Sequence, residues 1–301
     1  MENTILFGNG INRLNNHNIS WETILKKLMD SRTFNNRELP NTMVYERIIL
    51  ESPSVLGDIT KDEFETKQKI ANDMAQIEPH FLYEKLFNLN ATHYLTTNYD
   101  YGFLNGVINI GLGAVNSIGA ESVYSIRRKK EIVIKNDSTK YLWHIHGEID
   151  KPATIMLGLD HYSGSVGKIN NYIKGTYEFI ENGKNHREKS IREKFTEDGF
   201  NNSSWIERFF ISNIHVIGFT FDFSEIDLWW ILNKRARMLR DTRIPGALKN
   251  KIYYYSTNIE ETKKGLLQAL DVQVIDFKID EDKKNYLEYY EWFLNRYEKQ
   301  Q

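Results

Sequence analysis

The sequence predicts an α/β protein with a doubly wound, mostly parallel, Rossmann-like sheet and helical insertions. Two observations support this: apolar runs of strand length alternate with segments of helical periodicity, and glycine or small polar residues follow most of those runs. The chain is expected to form one domain over 1–301. The predicted strands lie at 4–7, 94–96, 122–126, 132–134, 141–146, 154–158, 214–217, 252–255 and 272–277.

Two further segments interrupt the alternation. Residues of about 21–88 have helical periodicity but are too long for one crossover helix, so they are expected to form a helical layer roofing part of a pocket. Residues of about 161–204 are rich in Lys, Glu, Asn and Gly, which predicts a polar helical insertion. Helices are also expected at 101–110, from 226 onward, before 270 and at the end of the chain, and 111–119 is expected to be a loop.

Composition excludes several classes of function. The 301 residues carry a formal net charge of −2 and no cysteine, which rules out disulfides, cysteine nucleophiles and thiolate zinc sites. No apolar run approaches the roughly 20 residues of a membrane span, and no signal-peptide pattern is present. We therefore expect a cytoplasmic protein with no membrane partner. The charge balance gives no reason to expect direct contact with nucleic acid, and the basic run at 127–130 is expected in a solvated turn.

A glycine-rich loop follows the first predicted strand. Gly8 and Gly10 allow the backbone to approach a phosphate or a ribose closely. Arg13 occupies the third glycine position of a dinucleotide fingerprint, and no acidic residue ends a clear second strand about 20 residues later. A simple turn is the alternative interpretation.

The stretch 94–100 changes from an apolar strand to polar residues. Such a corner lies outside the carboxyl end of a strand, where open α/β sheets bind ligands. Asn98 there offers one acceptor and two donors without titrating, and Asp100 follows as an orienting carboxylate. The alternative interpretation is that either residue caps the next helix.

A second focal stretch, 141–147, ends in a His-x-His-Gly pattern. Alternation places Leu142, His144 and His146 on one face, with His146 at the carboxyl edge of the strand. Histidine there is a candidate base, a metal ligand or a structural residue. No third ligand with suitable spacing is evident, so no metal is expected.

Five strand ends therefore carry glycine or small polar residues, at 8–12, 97–100, 146–147, 218–220 and 256–258. In this order they resemble the sirtuin family, specifically its bacterial sirtuin-like branch found in anti-phage defence. The resemblance spans nearly the whole chain and implies a domain that binds NAD. Thr97 stands where the family's Thr-Gln-Asn-x-Asp motif has glutamine, and Asn12 stands where deacylase sirtuins carry serine.

The resemblance implies roles for individual residues. The implied NAD-binding residues are Gly8, Asn9, Gly10, Ile11, Asn12, Thr97, Asp100, Gly218, Thr220, Ser256 and Asn258. Asn98 would hold a ribose hydroxyl and a water molecule, and His146 would accept a proton. Deacylase sirtuins carry a four-cysteine zinc ribbon after the His-Gly pair, whereas this chain has no cysteine, so a groove for a protein substrate is not expected.

The function implied is an NAD glycohydrolase, with NAD as substrate and no metal, acting as an abortive-infection effector that depletes NAD. The alternatives are an NAD-dependent deacylase or ADP-ribosyltransferase, and a module that senses NAD or ADP-ribose without turnover. A lethal hydrolase needs an off state, so a homo-oligomer or a separately encoded sensor protein is expected. The aromatic stripe Tyr286, Tyr290, Phe293 and Tyr297 and the pair Trp229–Trp230 are candidate interfaces, with core packing as the alternative.

Overall fold

The computed structural model describes residues 1–15, 20–29, 39–54, 57–108, 112–119, 121, 123–134, 138–241, 248–279 and 285–299. The strands are, in chain order, β1 (Asn3–Phe7), β2 (His93–Thr96), β3 (Leu112–Ile118), β4 (Lys129–Ile134), β5 (Thr139–His144), β6 (Glu178–Glu181), β7 (Lys184–Arg187), β8 (Asn213–Ile217), β9 (Ile252–Thr257) and β10 (Val272–Phe277).

The helices alternate with these strands through most of the chain. They are α1 (Trp21–Met29), α2 (Asn41–Glu51), α3 (Ile59–Met74), α4 (Leu82–Phe87), α5 (Gly102–Ile108), α6 (Leu159–Lys174), α7 (Ile191–Thr196), α8 (Arg208–Ile211), α9 (Ile226–Leu239), α10 (Glu261–Ala269) and α11 (Tyr286–Lys299). None of the helices in the described ranges is long and apolar enough to cross a membrane.

The predicted mostly parallel α/β sheet is confirmed. Eight strands form one sheet in the order β10-β9-β8-β1-β2-β5-β4-β3. Neighbours from β10 to β5 pair in parallel, and β4 and β3 complete the edge in antiparallel pairing. The chain leaves β1 toward β2 on one side and later returns to β8 on the other. This reversal creates a crevice at the carboxyl end of β1, which is where ligands bind in open α/β sheets.

Alternating side chains of the central strands feed two hydrophobic cores. In β1, Ile5 and Phe7 pack under α4, α5 and α11, whereas Leu6 faces the core of α6 to α9. In β5, Leu142 and Trp143 divide in the same way. Because both faces of the sheet are covered, the parallel strands are buried and read as continuous apolar runs.

The segment 21–88 contributes four helices, α1 to α4, apart from 30–38 and 55–56, which lie outside the described residues. A third apolar core joins α1, α2 and α3, and Tyr99, from the loop after β2, packs into it. The hydroxyl of Tyr99 donates to the backbone carbonyl of Met156 at 2.5 Å. This helical layer is therefore tied directly to the carboxyl edge of the sheet.

The insertion predicted to be helical at 161–204 is of mixed structure. It contains most of α6 and all of α7, but the hairpin β6–β7 lies between them. Its apolar residues Ile169, Tyr172 and Ile191 are buried in the main core, and Lys194 is buried between Glu188 and Glu207 at 2.7 and 2.8 Å. Some of its charged residues therefore form buried ion pairs, and the insertion is part of the body of the fold.

Four local predictions are wrong. Of the strand predicted at 122–126, residue 122 lies outside the described residues and 123–126 form no strand. Residues 112–118 form the edge strand β3 and not a loop; its exposed stretch of small and polar residues lacks a strand-like apolar pattern. Residues 154–158, predicted as a strand, form a 3-10 turn and an extended segment outside the sheet. Within 127–130, the start of β4 replaces the predicted solvated turn.

Three cations of the basic run make contacts within the fold. Arg128 and Lys130 are buried and reach the carboxylate of Glu148 at 2.7 and 3.0 Å, and the Arg127 guanidinium lies 3.3 Å from the ring centroid of Phe179. These contacts give the run a structural role.

The aromatic stripe packs into the core, as the alternative interpretation holds. Tyr290, Phe293 and Tyr297 are buried, and only Tyr286 is exposed. Trp229 and Trp230 are partly buried against the core beneath α9.

Candidate active site

A cleft of about 680 Å³ lies at the carboxyl edge of the sheet, at the crevice beside β1. Its volume is within the range of small-molecule sites, roughly 300–1,000 Å³. The sequence-predicted residues that line it are Asn9, Gly10, Thr97, Asn98, Asp100, His146, Gly218 and Thr220. The loops after β1, β2, β5 and β8 therefore converge on one space, and α1 contributes the opposite wall through Trp21 and Ile24.

The loops after β1 and β8 are in direct backbone contact. The amide of Gly10 donates to the carbonyl of Gly218 at 2.9 Å. A Cβ on Gly10 would lie 2.8 Å from the Cα of Gly218 and against the hydroxyl of Tyr290. Gly218 itself has φ +60°. Glycine is required at both positions because no side chain fits between these loops.

Asn98 is buried at the edge of the cleft and fixed through its backbone and its side chain. Its backbone amide donates to Oγ1 of Thr96 at 3.1 Å, and its Nδ2 donates to the carbonyl of Gly8 at 3.3 Å. Its backbone carbonyl contacts Nδ1 of His144 at 2.9 Å. The side-chain amide is thus held across the mouth of the glycine loop, where it presents an uncharged polar group to a ligand.

Asp100 joins the two loops that Asn98 spans. Its Oδ1 accepts from the backbone amide of Gly102 at 2.7 Å, and its Oδ2 accepts from Nδ2 of Asn12 at 2.9 Å. The Oδ1 of Asn12 in turn accepts from the hydroxyl of Tyr83 at 2.7 Å. Burial raises the pKa of Asp100 to about 6, although the amides of Gly102 and Asn12 oppose this shift. Asp100 and Asn12 brace the glycine loop from behind.

His146 is buried between two carboxylates from the start of α9. Its Nε2 lies 3.0 Å from Oδ2 of Asp227, and its Nδ1 lies 3.3 Å from Oε2 of Glu225. The ring of Tyr162 packs edge-on against the imidazole, and its hydroxyl donates to Oε2 of Glu225 at 2.9 Å. Ser165 donates to Oδ2 of Asp227 at 3.2 Å. Both carboxylates are thereby oriented toward the ring.

This arrangement determines the charge on the ring. Burial works to lower the pKa of His146, but the carboxylates of Asp227 and Glu225 outweigh it and raise the pKa to about 9. Burial also raises the pKa of Glu225 to about 7, opposed by the positive charge on His146. At neutral pH His146 is therefore an imidazolium. The expectation that a neutral imidazole accepts the proton needs revision, because the ring already holds one.

Metal binding is a second use for such a trio. His146, Glu225 and Asp227 each place one potential ligand atom within 4.8 Å of the others. The two carboxylates, however, face different nitrogens of the ring, so a metal ion on either nitrogen would have only one of them as a second ligand, and the other would accept a hydrogen bond from the ring. The geometry fits a doubly protonated ring that donates one N–H to each carboxylate.

His144, two residues earlier, has a different environment. Burial lowers its pKa to about 4, so the ring is neutral at physiological pH. Its Nδ1 therefore donates to the carbonyl of Asn98, and its Nε2 has no partner within the described residues. The contact makes His144 a support for the loop that carries Asn98.

Five predicted NAD-binding residues do not line the cleft. Gly8 and Asn12 lie directly behind it and support Asn98 and Asp100. Ile11 is buried in the core beneath α4 and α11. At the end of β9, Ser256 donates to Asp276, and the side chain of Asn258 is hydrogen bonded to the backbone of Ile279. Ser256 thus joins the end of β9 to β10, and Asn258 joins it to the segment after β10.

Sequence reasoning missed Glu225 and Asp227. The run Ser224-Glu225-Ile226-Asp227 fits the start of a helix, but Ser224 donates to Asp222, and Glu225, at the cap position, makes no capping bond with its side chain. Two acidic residues shortly after the strand-end corner at 218–220 were the available signal. Arg13 also lines the cleft, beside the glycine loop, where its charge suits an anionic ligand.

The chain matches no known protein-family model, and no curated protein sequence matches it.

Proposed function

We propose that this protein is an NAD glycohydrolase that cleaves the bond between nicotinamide and ribose, releasing nicotinamide and ADP-ribose. One observation supports this most: Asn98, His146 and the glycine loop, from three separate strand ends, line a single cleft at the switch point of the sheet. That point is where a doubly wound sheet binds nucleotides. The resemblance to sirtuin-like proteins supplies the substrate class.

The charges in the cleft suit the halves of such a substrate. Arg13 stands beside the backbone amides of the glycine loop, a setting for the pyrophosphate. His146, Glu225 and Asp227 form a second charged group. Together these three side chains carry a net charge of −1 when the ring is protonated and both carboxylates are ionised. Loss of nicotinamide leaves positive charge on the ribose, which a net negative site stabilises.

The chemistry needs little acid catalysis at the leaving group. Nicotinamide departs neutral because the breaking bond returns its electrons to the positively charged ring nitrogen. The protein must hold the ribose, exclude bulk water and place one water molecule. In this proposal Asn98 holds a ribose hydroxyl, and the group formed by His146, Glu225 and Asp227 takes up a proton from the attacking water. The proposed mechanism uses no metal ion and therefore predicts that a chelator leaves turnover unchanged.

The biological role follows from the resemblance. An effector that depletes NAD in the cytoplasm of an infected bacterium must be kept inactive until infection. We propose that self-association or a separately encoded sensor protein controls access to the cleft. Because the stripe on α11 is buried, such contacts must use other surfaces.

Substitution of Asn98 and of His146 tests the function. Asn98→Ala and His146→Ala should each lower NAD turnover by at least about a hundredfold while the fold stays intact. Nicotinamide release measures turnover, and circular dichroism measures folding. Wild-type rates in either well-folded variant would remove that residue from the mechanism.

A further inference from the structure

The proposed function leaves open which group takes the proton of the attacking water. Glu225 is 6% exposed and lines the cleft, and its Oε2 is engaged by Nδ1 of His146 and by the hydroxyl of Tyr162. Its Oε1 has no hydrogen-bond partner among the described residues. This oxygen is not one of the fully buried side-chain atoms that lack a partner, so it is open to the cleft, where a water molecule can reach it.

The surroundings hold this carboxylate in place from several elements. His146, from the loop after β5, and Tyr162, from α6, contact the carboxylate of Glu225 directly. Asp222 and Asp227 lie near this carboxylate on its own segment, and Tyr99, from the loop after β2, is close enough to interact with it electrostatically. Asp227 is bound by Ser165 and by the amide of Leu228, so it faces the imidazole and not the cleft. Of the two carboxylates on His146, only Glu225 lines the cleft.

We propose that Glu225, through Oε1, is the proton acceptor for the attacking water, and that His146 and Asp227 position and polarise it. This inference rests on the proposed function. His146 is then a positioning residue whose positive charge balances the carboxylate pair. This assignment of roles differs from a mechanism in which His146 itself is the base, because that mechanism would need a neutral ring.

The proposed step exchanges one bond at C1′ of the ribose for another. The bond between C1′ of the ribose and the nicotinamide nitrogen breaks, and its electron pair neutralises the pyridinium. The water oxygen forms a bond to C1′, and one water proton passes to Oε1 of Glu225. The carboxylic acid then returns the proton to solvent, so that NAD and water give nicotinamide, ADP-ribose and one proton.

Burial raises the pKa of Glu225 to about 7, which places its ionisation in the working range of a general base. The ionised form is the active one. Turnover should therefore fall as the pH drops through about 7, and this acidic limb should disappear when Glu225 is replaced.

The test compares wild-type protein with Glu225→Gln and Glu225→Asp at a temperature at which all three are fully folded. Each protein is given NAD with water as the nucleophile and then with added azide. Azide attacks C1′ without losing a proton, so it needs no base. We expect Glu225→Gln to lower hydrolysis by at least about a hundredfold, to lose the acidic limb and to regain turnover with azide as ADP-ribosyl azide. Glu225→Asp should retain the limb at reduced rate.

Other outcomes overturn specific parts. Hydrolysis by Glu225→Gln within about threefold of wild type, with the same pH profile, overturns the role of Glu225 and leaves the proposed function standing. Equal loss of water and azide attack in a variant that still binds NAD by calorimetry also overturns it. If wild-type protein consumes NAD neither in purified form nor in infected cells, the proposed function itself fails.

Discussion

At the scale of single residues, His146 shows how a fold sets the charge on a side chain. Burial alone keeps an imidazole neutral at pH 7. His144 is an example, because burial lowers its pKa to about 4. His146 is equally buried, but Asp227 and Glu225 raise its pKa to about 9. Two histidines separated by one residue thus carry different charges and serve different roles.

This difference can be measured by nuclear magnetic resonance of the ring nitrogens. We expect His146 to be protonated at pH 7.5 and to titrate near pH 9, whereas His144 stays neutral down to about pH 4. Asp227→Asn should lower the pKa of His146 because it removes the largest attraction. A neutral His146 ring at pH 7.5 in wild-type protein would contradict this account of the site.

The raised pKa also links His146 to stability. The folded protein binds this proton more tightly than the unfolded chain, whose histidines titrate near 6.5. Its contribution, about 3 kcal/mol for a shift of this size, is present in full below pH 6.5 and is lost as the pH rises through about 9.

His144 is the matched control for the catalytic substitutions. Its Nδ1 supports the carbonyl of Asn98, so His144→Ala should lower the free energy of unfolding by about 1–3 kcal/mol and reduce turnover much less than His146→Ala does. Thermal unfolding and nicotinamide release measure the two effects. Full loss of turnover in a well-folded His144 variant, with His146→Ala active, would show that the roles are reversed.

At the scale of elements, the cleft depends on contact between the loops after β1 and β8. Gly10→Ala should force these loops apart, because the new Cβ would meet Gly218 and the hydroxyl of Tyr290. We expect NAD binding to weaken by about tenfold or more, measured by calorimetry. Gly265→Ala on α10 is the control, since no atom lies within 4 Å of its Cβ; it should leave NAD binding unchanged. Equal effects of the two substitutions would contradict the proposed packing role of Gly10.

The parallel strands were predictable from the sequence, including the edge strand β10, whereas the antiparallel edge strand β3 was not. β1 and β8 lie within one residue of prediction because continuous apolar runs ending in polar residues mark buried parallel strands. β3 lies at the edge, where residues 114–118 are exposed, so a buried apolar face does not mark the strand in the sequence. The basic run at the start of β4 was misjudged because its partner, Glu148, lies about 20 residues further along the chain, beyond β5, and only the fold brings it back to β4.

The same limit applies to the site. Asn98, His146 and the glycine loop were found because strand ends can be read locally. Glu225 and Asp227 share a helix start, and only the path of the chain brings them to His146. Their letters match a capping pattern equally well, so the sequence alone does not separate the two uses.

At the scale of the whole molecule, the proposed control of the cleft would need a second surface, on which another copy or a partner protein binds. We expect the purified chain to form a homo-oligomer or to co-purify with a partner from its native host. Light scattering measures the first and affinity purification the second. A monomeric, partner-free and fully active protein would contradict the proposed control of the cleft.

The most direct test of the central claim is chromatography of NAD incubated with the purified protein, alone and with lysate from infected cells. We predict nicotinamide and ADP-ribose in equal amounts, with no product from Asn98→Ala. Binding of NAD without any product under either condition would contradict hydrolysis and would identify a sensing module. Product formation that depends on added acylated peptide would identify a deacylase instead.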